Sequence, residues 1–147
     1  MNNFPRGVEV ISGLIIRNQE GKIFLATGKK WHDMWIVVGG HVEPGETIME
    51  CAKREGEEET GLELEGVGVV NWGEMIASPN FHRPAHFVYF DCLFDAKSEK
   101  VTLNDELTEY KWVTPEEALK MNCNPSTHEA IRAYVKYVSI SHAENNG

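Results

Sequence analysis

The 147-residue chain is poor in cysteine and in positive charge. Its cysteines, Cys51, Cys92 and Cys123, are odd in number and widely spaced, which argues against a disulfide framework and against the paired spacing of a zinc site. Lysine and arginine total 14 against 23 aspartate and glutamate residues, a formal charge of −9. A surface that binds the phosphate backbone of nucleic acid needs a basic stripe, so we expect no nucleic-acid partner. The cysteine usage predicts a reducing compartment, the cytoplasm.

Long apolar runs are also missing. No segment of the sequence is apolar enough over a sufficient length to span a bilayer, and we expect no membrane partner. The first residues, MNNFPRGVEV, lack the basic start and long apolar run of a signal peptide. The length is near the modal domain size, so we predict a single domain over residues 1–147. The last residues, after His142, are expected to be disordered.

Against this background one stretch stands out, GGHVEPGETIMECAKREGEEETGL, from Gly39 to Leu62. If residues 47–60 are helical, Glu55, Glu58 and Glu59 share one face, because positions three and four apart are neighbours on a helix. Like charges at that spacing repel, so something positive is expected against the face. Mg²⁺, which takes oxygen ligands, would satisfy it. From the carboxylates alone, a solvated acidic face is an equally open interpretation.

Glycines flank the predicted helix on both sides. Gly39 and Gly40, followed by Pro44-Gly45, indicate a tightly turning segment ahead of it, where the backbone can approach a ligand closely. Gly61 suits the left-handed residue that ends a helix. The stretch therefore predicts a loop, a helix with a stripe of carboxylates, and a glycine stop.

This pattern resembles the signature of the Nudix (MutT-type) hydrolases, G-x5-E-x7-R-E-U-x-E-E-x-G-U, in which U is a bulky apolar residue. Eight of the nine specified positions match over 23 residues, and they are Gly40, Glu46, Arg54, Glu55, Glu58, Glu59, Gly61 and Leu62. The departure is Gly56, where the pattern has an apolar side chain. Glycine at this position indicates either that another element packs unusually close or that the helix is locally weak.

The resemblance implies an α/β (α+β) domain, the Nudix fold, with a mixed β-sheet sandwiched between α-helices. It also implies a hydrolase that cleaves a diphosphate linkage by attack of water on phosphorus, with Mg²⁺ as cofactor and Mn²⁺ as a possible substitute. By resemblance, the metal ligands are the Gly39 carbonyl and the carboxylates of Glu55, Glu58 and Glu59. Glu55 is in addition the candidate for activating water, Arg54 is expected to pair with a carboxylate and fix the face, and Glu46 is interpreted as mostly structural.

An acid outside the motif often completes the metal site in this family. The candidates are Glu106, Glu109 and Asp105, on the polar loop before Trp112. Spacing to the tryptophan favours Glu106. For each residue taken singly, a solvated loop position is an equally open alternative.

Substrate contacts are assigned to Gly40, to His41 beside the glycine pair, and to Arg83 in a turn-rich loop, although surface positions are the default for the last two. Four aromatic residues could stack on a base, with core or lid packing the favoured role for each: Trp31, Trp35, Phe81 and Phe87. The substrate is expected to be a small nucleotide, either a nucleoside diphosphate derivative or a nucleoside triphosphate. Alternatives are an ADP-ribose or nucleotide-sugar pyrophosphatase, weakly suggested by Pro79, and a non-catalytic nucleotide-binding domain. A monomer and a homodimer both remain open.

Elements outside the motif follow from periodicity and turn residues. We predict a hairpin of residues 8–17 and 22–27, two strand-like pieces within 62–75, a long strand over 85–94 and a short one over 110–113. Thr114-Pro115 starts a short helix, and Asn124-Pro125 opens a final one.

Overall fold

A computed structural model describes residues 3–79 and 81–146 and contains the mixed sheet and helices expected from the sequence. The elements in chain order are β1 (Val8–Arg17), β2 (Ile23–Thr27), a 3-10 turn (Lys29–Trp31), β3 (Gly39–His41), α1 (Ile48–Thr60), β4 (Leu64–Ile76), β5 (His86–Ala96), β6 (Glu109–Val113), α2 (Pro115–Lys120) and α3 (Pro125–Asn146).

The six strands form one sheet in the order β4-β5-β1-β2-β6, with β3 paired to β1 off this path. β1 runs parallel to β5 and antiparallel to β2 and β3. β2 pairs near the end of β1, at Arg17, and β3 pairs with its middle, where Gly13 lies opposite Gly39. The paired glycines of the motif are therefore held against the central strand of the sheet.

Helices cover both faces of the sheet, as predicted. Side chains alternate along a strand, so Leu14 and Ile16 of β1 pack on one face, in the cluster that includes Ala52 of α1. Ile15 packs on the other face, in the cluster that includes Ala118 of α2 and Ile131 of α3. One core fixes the carboxylate helix, and the other fixes the two C-terminal helices.

Gly56 is a point of close packing between α1 and the sheet. A Cβ atom at this position would lie 2.6 Å from Cδ2 of Leu14 and 2.7 Å from Cδ1 of Leu64, and Gly56 is buried. The bulky residue of the family pattern has no room here, because these two leucines occupy its space. Of the two explanations left open by the sequence, the structure supports close packing.

Two expectations differ from the structure. Residues 64–76 form one continuous strand with register shifts at Gly66/Gly68 and Val69/Asn71, because bulges absorb the glycines without ending the pairing. The expected disorder after His142 is also wrong for residues 143–146, since α3 continues through Asn146 with no glycine or proline to stop it. Gly147 lies outside the described residues. Within the described residues, no helix has the length and apolarity needed to cross a membrane.

Candidate active site

The carboxylate helix α1 has well-defined ends. At its start, Thr47 accepts a hydrogen bond from the Glu50 amide (3.1 Å), and the Glu50 carboxylate accepts one from the Thr47 amide (3.3 Å). This reciprocal capping satisfies two amides that have no partner inside the helix. At its end, Gly61 adopts φ = 70°, the left-handed conformation predicted from the sequence. The helix is therefore fixed in register, which sets the direction of its carboxylates.

Arg54 organises the first part of the carboxylate face, as the sequence predicted. Its Nε and Nη2 donate to the two oxygens of Glu46 at 2.7 and 3.0 Å, a two-pronged pair. Its Nη1 donates to Oε1 of Glu55 at 2.8 Å and lies 3.7 Å from Glu58. The hydrogen bonds from Arg54 hold the pKa of Glu46 at about 2. Glu46 is thus committed to Arg54, in agreement with its structural interpretation.

Glu59 is a partly buried member of the face. Its Oε2 accepts a hydrogen bond from the Gly39 amide at 3.1 Å, which joins α1 to β3. Burial, followed by the charge of Glu55, raises the pKa of Glu59 to about 8, and the charges of Glu106 and Glu58 add to the shift. A carboxylate in this setting is a strong ligand for a cation, because the cation offsets both the burial and the repulsion.

The loop before β6 brings a fourth acid to this point. The amides of Thr102 and Asn104 donate to the carbonyls of Thr60 and Glu59 at the end of α1, at 2.8 and 3.1 Å. Glu106 follows two residues later, with its carbonyl packed so closely on Gly28 that a Cβ there would lie 2.3 Å away. Of the three loop acids considered from the sequence, Glu106 is the one found among the main charges that raise the pKa of Glu59.

The face has the donor chemistry of a hard cation site. Among residues 3–79 and 81–146, no three acidic, histidine or cysteine side chains converge into a ready-made ligand group. Repulsion between the carboxylates, together with the attraction of Glu55 to Arg54, accounts for the separation. All the available donors are oxygens, and Mg²⁺ prefers oxygen ligands while keeping several of its waters. The residues therefore fit a divalent cation.

The two motif glycines have different constraints. A Cβ at Gly39 would lie 2.1 Å from the backbone oxygen of Ser12, so the pairing of β3 with β1 requires glycine. A Cβ at Gly40 would lie 2.3 Å from Cδ of Glu55. Gly40 thus leaves the space that the Glu55 carboxylate occupies.

The two predicted contact residues, His41 and Arg83, lie together on one carboxylate. Arg83 donates from Nη1 and Nη2 to the two oxygens of Glu9 at 2.8 and 2.7 Å. Nε2 of His41 lies 3.0 Å from Oε1 of the same residue. The hydrogen bond from Arg83 holds the pKa of Glu9 at about 2, and the smaller hydrogen bond from His41 acts in the same direction. Each terminal nitrogen of Arg83 donates one hydrogen bond to Glu9, and the charge of Glu9 offsets the attraction of Arg83 for a substrate phosphate.

The sequence analysis singled out neither Glu9 nor Asp91. Asp91 of β5 is 6% exposed, accepts a hydrogen bond from Nδ2 of Asn71 at 2.9 Å, and has its pKa raised to about 6 by burial. Each acid is the only carboxylate in a largely apolar strand sequence, VEVISGLIIR and AHFVYFDCLF. A lone carboxylate inside such a run was the signal that could have found them.

A carboxylate helix packed on a mixed sheet, with the paired glycines of β3 beneath it and a loop acid beside it, is the arrangement that the sequence motif predicts. Comparison with known proteins agrees. The family model for the NUDIX domain matches residues 9–134. Nucleoside triphosphatase NudI from Escherichia coli K12 is 31% identical over 106 residues, which cover 67% of this chain and 74% of the relative. The chain belongs to the NUDIX family and is a hydrolase of that family.

Solved structures agree on the fold. A MutT NUDIX hydrolase from Burkholderia pseudomallei superposes with a TM-score of 0.73 at 24% identity, covering 87% of this chain and 98% of that one. The ORF135 protein of E. coli gives 0.72 at 24% identity, covering 88% and 89%. At such identities the likeness shows the shared fold alone.

Proposed function

We propose that this protein hydrolyses a phosphoanhydride bond of a nucleoside triphosphate, with Mg²⁺ or Mn²⁺ as the cofactor. The observation that carries the proposal is Glu59, a partly buried carboxylate that accepts a hydrogen bond from the Gly39 amide and is surrounded by the charges of Glu55, Glu58 and Glu106. A divalent cation is the ligand that would stabilise such a group in its ionised form. The choice of a triphosphate is supported by the relative at 31% identity, which is named a nucleoside triphosphatase.

In this proposal the cation is held by the carboxylates of Glu55, Glu58, Glu59 and Glu106 together with the Gly39 carbonyl. When bound, it supplies neutralisation of charge on the phosphate oxygens and lowers the pKa of a coordinated water. Arg54 keeps the Glu55 carboxylate in one orientation, through the 2.8 Å hydrogen bond from Nη1. Gly40 leaves the space in which this carboxylate lies.

The reaction needs a water molecule directed at phosphorus and a group to take its proton. In this proposal Glu55 takes that proton as the water oxygen forms its bond to phosphorus. The anhydride oxygen leaves with the departing phosphate or pyrophosphate. Glu59 keeps its hydrogen bond from the Gly39 amide, which holds the helix face against β3.

The test is product release from a substrate panel: nucleoside triphosphates, nucleotide sugars, ADP-ribose and dinucleoside polyphosphates. It is run with Mg²⁺, with and without chelator, on the wild type and on Glu59→Gln. Glu57→Gln is the matched control, because it makes the same chemical change on the same helix at a carboxylate that accepts from the Leu64 amide instead (3.1 Å).

We expect turnover of a nucleoside triphosphate that requires the metal, is lost in Glu59→Gln and is retained in Glu57→Gln. Turnover of ADP-ribose or a nucleotide sugar in preference to triphosphates would replace the proposed substrate class. Nucleotide binding without turnover of any compound would support the non-catalytic alternative.

A further inference from the structure

Glu9 of β1 joins three separate parts of the protein. Its side chain is 7% exposed. It accepts two hydrogen bonds from the guanidinium of Arg83, which lies in the β4–β5 loop, and it contacts His41 of β3. His41 directly follows the glycine pair of the proposed catalytic site. A carboxylate buried this deeply is stable only when it is paired, and here the pairing serves to hold two other elements in place.

The surroundings of this cluster are aromatic. The Arg83 guanidinium lies 5.0 Å from the ring centre of Phe81 and 5.9 Å from that of Phe87. Phe81 meets Phe87 edge-on at 5.1 Å, and Phe87 meets His41 at 5.9 Å. Phe87 is 3% exposed and lies beneath His41 and Phe81, whose rings supply the exposed part of the group. We call these three residues the aromatic wall, which extends from β3 to the β4–β5 loop.

The charges of Glu9 and Arg83 indicate whether the aromatic wall contacts the phosphates or the base of a substrate. The positive charge of Arg83 is cancelled by Glu9, and both of its terminal nitrogens already donate hydrogen bonds. The cluster therefore offers little net attraction to a phosphate. It does offer partly exposed ring surface, since Phe81 is half-buried and the His41 side chain is 52% exposed. Ring surface of this kind favours contact with a planar base.

We propose that Glu9 is a positioning residue that, through Arg83 and His41, fixes the aromatic wall against which the base of the nucleotide packs. This inference rests on the proposed function, because it concerns the nucleoside end of the same substrate. Glu9 itself touches neither the base nor the reacting phosphate. It acts by keeping the β4–β5 loop closed down on β1.

The backbone conformation of the β4–β5 loop indicates that contacts such as those with Glu9 are needed to hold the loop in place. The loop is closed at its base by a hydrogen bond from the Ala77 amide to the Ala85 carbonyl (2.8 Å), and Ala77 has φ = 51°. A left-handed conformation is unfavourable for alanine and persists only where surrounding contacts impose it. The two hydrogen bonds from Arg83 to Glu9 form an ionic, two-pronged and partly buried contact between this loop and β1.

The experiment uses three variants of the full chain, Glu9→Gln, Arg83→Gln and the double variant, in steady-state assays with a nucleoside triphosphate and Mg²⁺. A group that helps to hold the substrate equally before and during reaction changes KM and leaves kcat unchanged. We expect each single variant to raise KM about 10-fold with kcat within about 2-fold of the wild type. The double variant should raise KM no further than the single ones, because Glu9 acts through Arg83.

Inorganic tripolyphosphate, used as a competitive inhibitor, separates the base from the phosphates. It carries the charges of the substrate but no base, so its inhibition constant should stay within about 2-fold of wild type in every variant. A parallel rise of this constant in Arg83→Gln would make Arg83 a phosphate ligand and overturn the proposal. Wild-type KM values in folded Glu9→Gln and Arg83→Gln would overturn it as well.

Two control variants test the chemical change itself. Arg6→Gln removes an exposed arginine that lies 3.9 Å from the same carboxylate, and Glu20→Gln neutralises an exposed carboxylate in the β1–β2 turn. Both should behave as wild type. If Glu9→Gln does not fold, Arg83→Gln decides the question, because it leaves Glu9 in contact with His41.

Failure of the proposed function gives a different result from failure of this inference. If the wild type shows no metal-dependent turnover, the proposed function fails, and the dissociation constant of the nucleoside triphosphate, measured by calorimetry with Mg²⁺, takes the place of KM. Weaker binding of the nucleotide by Glu9→Gln and Arg83→Gln would then still support the proposal that Glu9 positions the aromatic wall. Unchanged binding, or no binding by the wild type, would overturn it.

Discussion

The carboxylate of Glu55 lies against the backbone of Gly40, so closely that a Cβ atom on Gly40 would be 2.3 Å from its Cδ. Gly40 of β3 and Glu55, the first glutamate of the helix face, are thus a matched pair, although 15 positions separate them in the sequence. Because the atom in conflict is the end of a flexible side chain, a methyl group at position 40 would displace the carboxylate and leave the backbone in place.

Gly40→Ala is therefore expected to lower kcat by about 100-fold, since a shift of about 1 Å in a reacting group costs a factor of this size. The melting temperature should change little. Gly68→Ala is the matched control, because a Cβ there meets nothing within 4 Å. Equal activity of the two variants would mean that the position of Glu55 does not matter to the reaction.

Glu59→Gln tests the metal and the pH dependence of stability. With the pKa of Glu59 raised to about 8 from 4.5, the folded protein retains a proton that the unfolded chain releases. The stability of the metal-free wild type therefore falls as pH rises from about 4.5 through 8. We expect Glu59→Gln to melt at a higher temperature than the metal-free wild type at pH 8, and added Mg²⁺ to raise the melting temperature of the wild type only. A similar response of both proteins to Mg²⁺ would remove Glu59 from the ligand set.

Glu106→Gln should weaken Mg²⁺ binding, because the charge of this loop acid is among the main causes of the raised pKa of Glu59. Asp105→Asn and Glu109→Gln make the same change at neighbouring acids and should leave the affinity unchanged. The measurement is the Mg²⁺ concentration at half-maximal activity, expected to rise about 10-fold or more in Glu106→Gln. A larger effect from either neighbour would assign the loop ligand differently.

Gly56→Ala should destabilise the protein, although alanine favours a helix by about 1 kcal/mol over glycine. Overpacking against Leu14 and Leu64 costs about 1–3 kcal/mol, so we expect a net loss of about 1 kcal/mol in the free energy of unfolding. Leu64→Val, which removes the atom at 2.7 Å, should recover part of this loss when combined with Gly56→Ala. Urea denaturation of the two single variants and the double variant measures the coupling.

Asp91→Asn should stabilise the protein at neutral pH. The pKa of Asp91 is raised from 3.8 to about 6, so ionisation of the folded state costs stability as pH rises through this window, by about 3 kcal/mol at completion. The variant lacks this cost and can still accept the hydrogen bond from Asn71. Its advantage over wild type should be largest at pH 8 and small at pH 4. An advantage independent of pH would exclude the titration of Asp91 as its cause.

Much of the fold followed from local sequence. The start of α2 at Thr114-Pro115, the glycine stop of α1 at Gly61 and the turn between β1 and β2 are decided by contacts within a few residues, so their patterns are legible in the chain. The same holds for the carboxylate face, because helical periodicity alone places Glu55, Glu58 and Glu59 together. The continuity of β4 and the length of α3 were missed, because pairing with a neighbouring strand and helix propagation override weak local stops.

The residues of the NUDIX motif and the helix that presents its acids can be read from the amino-acid sequence alone. Three findings required the folded structure: which loop acid comes near Glu59, why Gly56 has no side chain, and that Glu9 binds both His41 and Arg83. Each of these depends on contacts between residues that are distant along the chain. Such contacts are set by how the sheet and helices pack, and neither composition nor periodicity encodes them residue by residue.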